Sequence, residues 1–217
     1  MTKDIVIIGL GRLGSSMALQ LEANGCKVMV VDKDEKKIRQ IADYVTLATC
    51  VDVTNEEAME ELGIQNFDTA VIAIGHNTEA TVLATIFAKE HGVKHVIAKA
   101  FNETHAKILS KVGADQVIFP EREMGQRLAN NLTMNNIVDA IELTDDYSIG
   151  KIPVLRAWVG FSLRSLNLRD KYKINVIAVQ QGSDIQMVPD ADALICDDMV
   201  FVILGKNATL RKLSEMR

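Results

Sequence analysis

The sequence predicts an α/β chain: a doubly wound parallel sheet in the strand order 3-2-1-4-5-6, followed by a small α+β domain. Three observations predict it. Over residues 1–119, short apolar runs alternate with helix-compatible segments, as expected of βα units whose strands are buried on both faces. The first run, Ile5-Val6-Ile7-Ile8, ends in Gly9-Leu10-Gly11-Arg12-Leu13-Gly14, a G-x-G-x-x-G turn that opens a helix-compatible segment. About twenty residues on, Val28-Met29-Val30-Val31 closes on an acid, Asp32.

The strands read as Asp4–Gly9, Lys27–Asp32, Val45–Cys50, Thr69–Ile74, His95–Ala98 and Gln116–Phe119. Each is a continuous apolar run and not a strict alternation. The helices between them have recognisable ends. Gly25 follows the first, and Asp34 caps the second, where Ile38 and Ile41 face the core. Thr54 starts the third, with Glu57 completing a capping box and Gly63 as its stop. The fourth runs from near Thr78 to His91, and the fifth from Asn102 to just before Gly113. After Phe119-Pro120, the stretch Glu121–Leu132 reads as a helix with an acidic first turn. The pattern loosens at Asn135-Asn136, and Ile137–Leu143 reads as a second short helix.

Beyond that point the βα alternation stops. Strands are expected at Tyr147–Val154, Asn175–Gln180, Ile185–Val188 and Met199–Gly205, with helical pieces at Leu163–Lys173 and Thr209–Met216.

Composition narrows the function classes. The net charge is −5 and no basic stripe with interleaved aromatics occurs, which argues against a nucleic-acid partner. No apolar run reaches the ~18–20 residues of a membrane span. Met1-Thr2-Lys3-Asp4 leads straight into a core strand, so no signal peptide is expected. Cys26, Cys50 and Cys196 are widely spaced and read as small core residues in a reducing cytoplasm.

Ligand sites in such a sheet lie at the carboxyl ends of the strands. Gly9 allows the tight turn, Gly11 a close approach of backbone to phosphate, and Gly14 close packing of helix on strand. The helix N-terminus offers N–H groups and partial positive charge to an anion. Asp32, followed by Lys33, would take ribose hydroxyls. The other loops of the same rim offer Asp52 and Val53, then Ile74-Gly75-His76-Asn77, then Lys99. Arg12 lies in the first helical turn, where a guanidinium suits a phosphate tail more highly charged than a pyrophosphate carrying nicotinamide. Asp32 makes NADP the least favoured adenine ligand. The residues after 135 contain no His and no paired-carboxylate or nucleophile–base spacing. His91 and His95 cannot share a helix face across Gly92, so no metal pair is expected there. A nucleotide sensor is favoured over an enzyme.

The chain resembles the RCK (KTN) family, specifically the Ktr-type cytosolic subunits of bacterial potassium uptake systems. The resemblance rests on Gly9–Gly14, Phe67-Asp68-Thr69-Ala70-Val71-Ile72-Ala73-Ile74-Gly75, Val112-Gly113-Ala114-Asp115 and Pro120-Glu121-Arg122-Glu123-Met124-Gly125, and covers essentially the whole chain. It implies a Rossmann-like nucleotide domain over 1–120, a crossover and dimerisation helix over 121–136, and a regulatory domain over 137–217. It implies a homodimer assembling to an octameric ring beneath a membrane potassium channel, on the inner face of the cell membrane. ATP and ADP would occupy the rim and favour different ring shapes. In that family Arg12 reaches the terminal phosphate with help from Lys99, Asp32 holds ribose, and Asp52 and Val53 lie near the adenine. Glu121 is implicated in a divalent cation at the dimer interface. Cyclic di-AMP binds the C-terminal domain of some relatives, with Arg169 and Asn175 as candidate contacts within Leu166–Ile177. One departure is Asp52, where Ktr-type relatives can carry Asn, which bears on the choice between ATP and NAD. The alternatives are an NAD(H)-sensing Trk-type subunit, a small NAD-dependent oxidoreductase, and an RCK protein serving another channel or antiporter.

Overall fold

β1 (Asp4–Ile8) lies at the centre of the first sheet, hydrogen-bonded to β2 (Lys27–Asp32) on one side and β4 (Thr69–Ile72) on the other. With β3 (Leu47–Cys50), β5 (His95–Lys99) and β6 (Gln116–Ile118) it forms a wholly parallel sheet in the order 3-2-1-4-5-6. Residues 3–133, 138–144 and 146–216 are described by this computed structural model. The chain divides into two units, Met1–Glu123 and Met124–Arg217.

In the first unit the helices between strands are α1 (Arg12–Ala23), α2 (Glu35–Ile41), α3 (Glu56–Glu60), α4 (Thr78–Glu90) and α5 (Glu103–Lys111). α6 (Pro120–Thr133) follows β6. Ile5–Ile8, Val28–Val31 and Ala70–Ile72 are buried without alternation, because helices cover both faces of the sheet. Each Ile or Val side chain so withdrawn from water contributes about 1.5–3 kcal/mol. Helix starts are set by side-chain caps: Asp34 accepts from the Lys36 N–H, Asn77 from Ala80 and Asn102 from His105. The third helix departs from expectation. Its cap is Asn55, which accepts from the Ala58 N–H, while Thr54 turns its N–H and hydroxyl to Asp52.

The second unit is an antiparallel five-stranded sheet in the order β10-β9-β11-β8-β7. Its strands are β7 (Val138–Glu142), β8 (Tyr147–Pro153), β9 (Asn175–Gln181), β10 (Asp184–Met187) and β11 (Met199–Lys206). Burial alternates along β8 and much of β11, as expected of a sheet with one covered face. Ile152, Trp158, Ile174, Phe201, Ile203 and Leu210 centre the core, with α9 (Asn207–Glu215) packed on β8 and β11.

Three expectations here need correction. Asn135, Asn136 and Ile137 lie outside the described residues, but Val138–Glu142 is a strand and not a helix, paired antiparallel with β8. Its apolar residues suit either periodicity, and pairing with β8 decides the matter. The helical piece at Leu163–Lys173 is two short helices, α7 (Leu163–Leu166) and α8 (Leu168–Tyr172), split at Asn167 with φ 47°. Cys50 and Cys196 are exposed and so are not core residues, whereas Cys26 is half-buried and packs against the core of the first unit. No helix of the described residues is long and apolar enough to cross a membrane.

Candidate functional site

The strand order reverses between β1 and β4, so the loops that leave these two strands frame a crevice. Gly9 turns the chain out of β1 with φ +103°, a value L side chains rarely adopt, and donates its N–H to the Val31 carbonyl at 2.7 Å. A Cβ there would lie 2.9 Å from the Ile74 nitrogen, and one at Gly14 only 2.0 Å from the Gly9 oxygen. Gly11 is different: its nearest neighbour would be the Ala73 oxygen at 3.9 Å. Gly9 and Gly14 are therefore required by the fold, whereas packing leaves room for a Cβ at Gly11. No side chain caps α1 and no acid lies in its first turn, which leaves its leading N–H groups available to an anion.

Asp32 does more than wait for a ribose. Its carboxylate accepts from the Leu10 N–H at 2.6 Å and the Asp34 N–H at 2.9 Å, and meets the Lys37 ammonium at 3.3 Å. With the side chain only 9% exposed, it pins the glycine turn to the end of β2 and the start of α2. Asp52, at the next loop, accepts from the Thr54 N–H and hydroxyl and sits 3.7 Å from the Lys33 ammonium. The Thr54 hydrogen bonds, then the Lys33 charge, hold its carboxyl below the usual carboxylate range.

These loops enclose a cleft of about 300 Å³. Gly9, Gly11, Asp32, Lys33, Asp52, Val53, Ile74, Gly75 and Asn77 line it. A second cleft, about 260 Å³, shares Gly75 and collects Arg12, His76 and Lys99 with Phe101, Phe119, Glu121 and Arg122. The expected rim residues thus divide between two adjoining clefts, one lined by Asp32, Asp52, Lys33, Lys37 and apolar side chains, the other cationic, with Arg12, Lys99 and Arg122 against Glu121. Leu10, Leu13 and Gly14 line neither: Leu10 is buried and Leu13 packs on the core.

Lys99 is not a lone cation. It meets the Glu121 carboxylate at 2.5 Å, with Arg12 also near enough to help hold that carboxyl below its usual range after the dominant Lys99 hydrogen bond. Arg122 stacks 4.1 Å over the Phe119 ring and pairs with Glu103. Among the described residues no group of three His, Cys, Asp or Glu could hold a metal ion, so Glu121 would need ligands from beyond the described residues. In the second unit, Arg169 on α8 and Asn175 at the start of β9 are both exposed.

Sequence reasoning missed Lys37, Phe101, Phe119 and Arg122. Lys37 carried a weak signal, being two Lys side chains (Lys36, Lys37) just past the Asp34 cap. Which of them reaches back to Asp32 depends on where the helix begins. The aromatic pair carried none, since Phe101 and Phe119 lie on separate loops.

The TrkA-N domain family matches residues 5–120, and the TrkA-C domain family matches 151–216. The chain belongs to the RCK (KTN) family. Among relatives of this RCK chain, the Ktr system potassium uptake protein C of Bacillus subtilis (strain 168) is 38% identical over 205 residues, covering 94% of this chain and 93% of the relative. Ktr system potassium uptake protein A of the same organism is 35% identical over 210 residues, covering 97% and 95%. The solved GsuK channel bound to NAD superposes on 100% of this chain and 39% of its own length, with a TM-score of 0.61 and 15% identity. That last likeness concerns the fold. The two Bacillus proteins place this RCK chain among homologues of the Ktr regulatory subunits.

Proposed function

We propose that this chain is the nucleotide-sensing cytosolic gating subunit of a Ktr-type potassium uptake channel, and not an enzyme. One observation carries the reading: a cleft fit for a nucleoside adjoins, at Gly75, a cleft that gathers Arg12, Lys99 and Arg122. Adenosine fits the first and a phosphate tail runs over the uncapped α1 N-terminus into the second. The more highly charged tail of ATP gains more from Arg12 than ADP does. ATP and ADP then stabilise different shapes of an RCK ring by differential affinity, the sole means by which a ligand shifts such an equilibrium. NAD or NADH is the second reading, since it needs the first cleft and not the cations.

The sensor reading is supported by Asp32 and Asp52, the carboxylates of the first cleft. Both already accept backbone N–H groups and face lysines, so neither is poised as a general acid or base. A dimer is supported by α6, where Met124, Leu128 and Leu132 are exposed at four-residue spacing, an apolar stripe suited to a second copy. The assembly is an octameric ring under a membrane potassium-channel subunit, which places the chain in the cytoplasm at the membrane's inner face. A divalent cation at Glu121 belongs to the same proposal.

Thermal-shift titration with ATP, ADP, NAD and NADH tests the ligand. ATP and ADP are expected to stabilise most. Arg12→Ala is expected to weaken ATP about 10- to 100-fold, as loss of a charge-assisted hydrogen bond predicts, with little effect on NAD. Greater stabilisation by NADH than by ATP, surviving Arg12→Ala, would refute the ATP reading. A monomer under every nucleotide, by light scattering, would refute the ring.

Cyclic di-AMP is proposed as the ligand of the second unit, through Arg169 and Asn175. Arg169→Ala is expected to abolish its binding in calorimetry while leaving nucleotide stabilisation of the first unit unchanged. Unaltered cyclic di-AMP affinity in that variant would remove Arg169 from the site.

A further inference from the structure

His105 is 2% exposed, and among the described residues neither of its ring nitrogens has a hydrogen-bond partner. An imidazole always carries at least one N–H and, when neutral, one acceptor. Burying both without partners leaves their desolvation uncompensated, and such a group in a folded protein calls for a physical account.

Its surroundings supply one. The backbone N–H of His105 is tied to the Asn102 cap of α5 at 2.8 Å, so the residue's backbone is part of the hydrogen-bonded first turn of that helix. Its ring packs on Phe101 with centroids 4.4 Å apart, and Phe101 packs on His76 at 5.5 Å. Phe101 and His76 both line the cationic cleft. His105 is thus the buried footing of that cleft's aromatic wall.

We propose that His105 is a proton switch beneath the wall of the cationic cleft: acid drives a proton onto the buried ring, the first turn of α5 opens, and Phe101 leaves the cleft. The inference stands on the packing of this wall and not on which nucleotide binds.

Burial alone opposes protonation of His105 and pushes its pKa down. The charged groups on the surrounding elements are paired elsewhere or turned to solvent, Glu79 and Glu90 of α4 being among the exposed ones. On α5 itself Glu103 pairs with Arg122, while Lys107 and Lys111 are exposed. On β5 Lys99 pairs with Glu121, and on α4 Lys89 pairs with Asp115, just ahead of β6. His76 reaches His105 only through the Phe101 ring. None offers an anion to a protonated ring, so the proton is accommodated by exposure to water.

The direction follows from linkage. A histidine whose folded-state pKa lies below its unfolded value binds fewer protons when folded. Its contribution to stability is whole above the ordinary histidine range, about 6.5, and is lost as pH falls through and below it.

Hydrogen exchange on the full chain between pH 7.5 and 5.5, corrected for intrinsic rates, tests the switch. The opening constant of the segment 100–108 is expected to rise by up to about tenfold per pH unit below about 6.5, while α1 stays protected. In His105→Phe and His105→Leu, which keep an apolar filling and cannot take a proton, that rise is expected to vanish. A segment equally protected at both pH values, or variants that open as steeply as the parent, would overturn the proposal. Should both variants fail to fold, the ring resonances of the parent decide. Protonation of His105 below its ordinary range, together with a shift of the Phe101 ring, supports the switch. Titration at the ordinary value, or a ring that stays neutral while the segment opens, overturns it.

Discussion

Gly14→Ala is expected to destabilise the chain by about 3 kcal/mol, the largest effect of any methyl added to the glycine motif. The reason is a backbone contact. A Cβ at position 14 would sit 2.0 Å from the Gly9 carbonyl oxygen and 3.3 Å from the Ala73 Cβ. Neither neighbour is the free end of a flexible side chain. Gly9 is itself held by its N–H to Val31 and by φ +103°, so relief requires the whole β1–α1 turn to shift. The helix-propensity gain of alanine over glycine, about 1 kcal/mol, offsets only part of this. Gly11→Ala is the control. Its Cβ meets nothing closer than 3.9 Å, so the unfolding free energy should change by no more than about 1 kcal/mol, the range of N-cap substitutions. Nucleotide affinity should nevertheless fall about tenfold or more, because the methyl occupies the approach of a phosphate to the backbone. Urea unfolding by circular dichroism and nucleotide calorimetry separate the two. Equal urea midpoints for Gly14→Ala and the parent would show that the turn is more yielding than these distances imply.

Asp32→Ala is expected to cost about 2–3 kcal/mol in the absence of any ligand, and to abolish nucleotide binding as well. A residue that served only a ribose would be silent in the empty protein. Asp32 is not such a residue, because the buried Leu10 N–H and the Asp34 N–H both terminate on its carboxylate. Removing the acceptor leaves the Leu10 donor shut away from water. The Lys37 contact adds little, since that ammonium is 43% exposed and solvent supplies a substitute. Asp32→Asn keeps one acceptor oxygen and should fall between parent and Ala in stability. Chemical denaturation without nucleotide reads the order directly, and an Ala variant as stable as the parent would reduce Asp32 to a ligand contact.

Much of this was legible in one dimension. The strands of the first unit announce themselves as unbroken apolar runs because helices cover both faces, and the sheet order follows from right-handed crossovers. The glycine spacing marks the β1–α1 turn, since only glycine tolerates the φ of position 9 and the contact at position 14. Caps at Asp34 and Asn102 could be read because a cap acts within a few residues of itself. Where two neighbours could each serve, as with Thr54 and Asn55, sequence offered no way to choose. The choice is made by Asp52, which takes both polar groups of Thr54.

What the sequence determined by itself was therefore local and periodic: the parallel α/β sheet, the glycine turn between β1 and α1, and the presence of Asp32, Asp52, Arg12 and Lys99 on one rim. The tertiary structure alone decided which of these groups meet. It paired Lys99 with Glu121 across 22 residues of chain, turned Asp32 into the clasp of the glycine turn, and split the rim into two adjoining clefts, one of them cationic. It made Val138–Glu142 a strand by setting it beside β8. It buried His105 under Phe101 with no partner for its ring. The physical reason is common to all of them. Periodicity and capping are fixed by neighbours a few residues away, whereas ion pairing, strand pairing and burial are fixed by groups that folding brings from elsewhere in the chain.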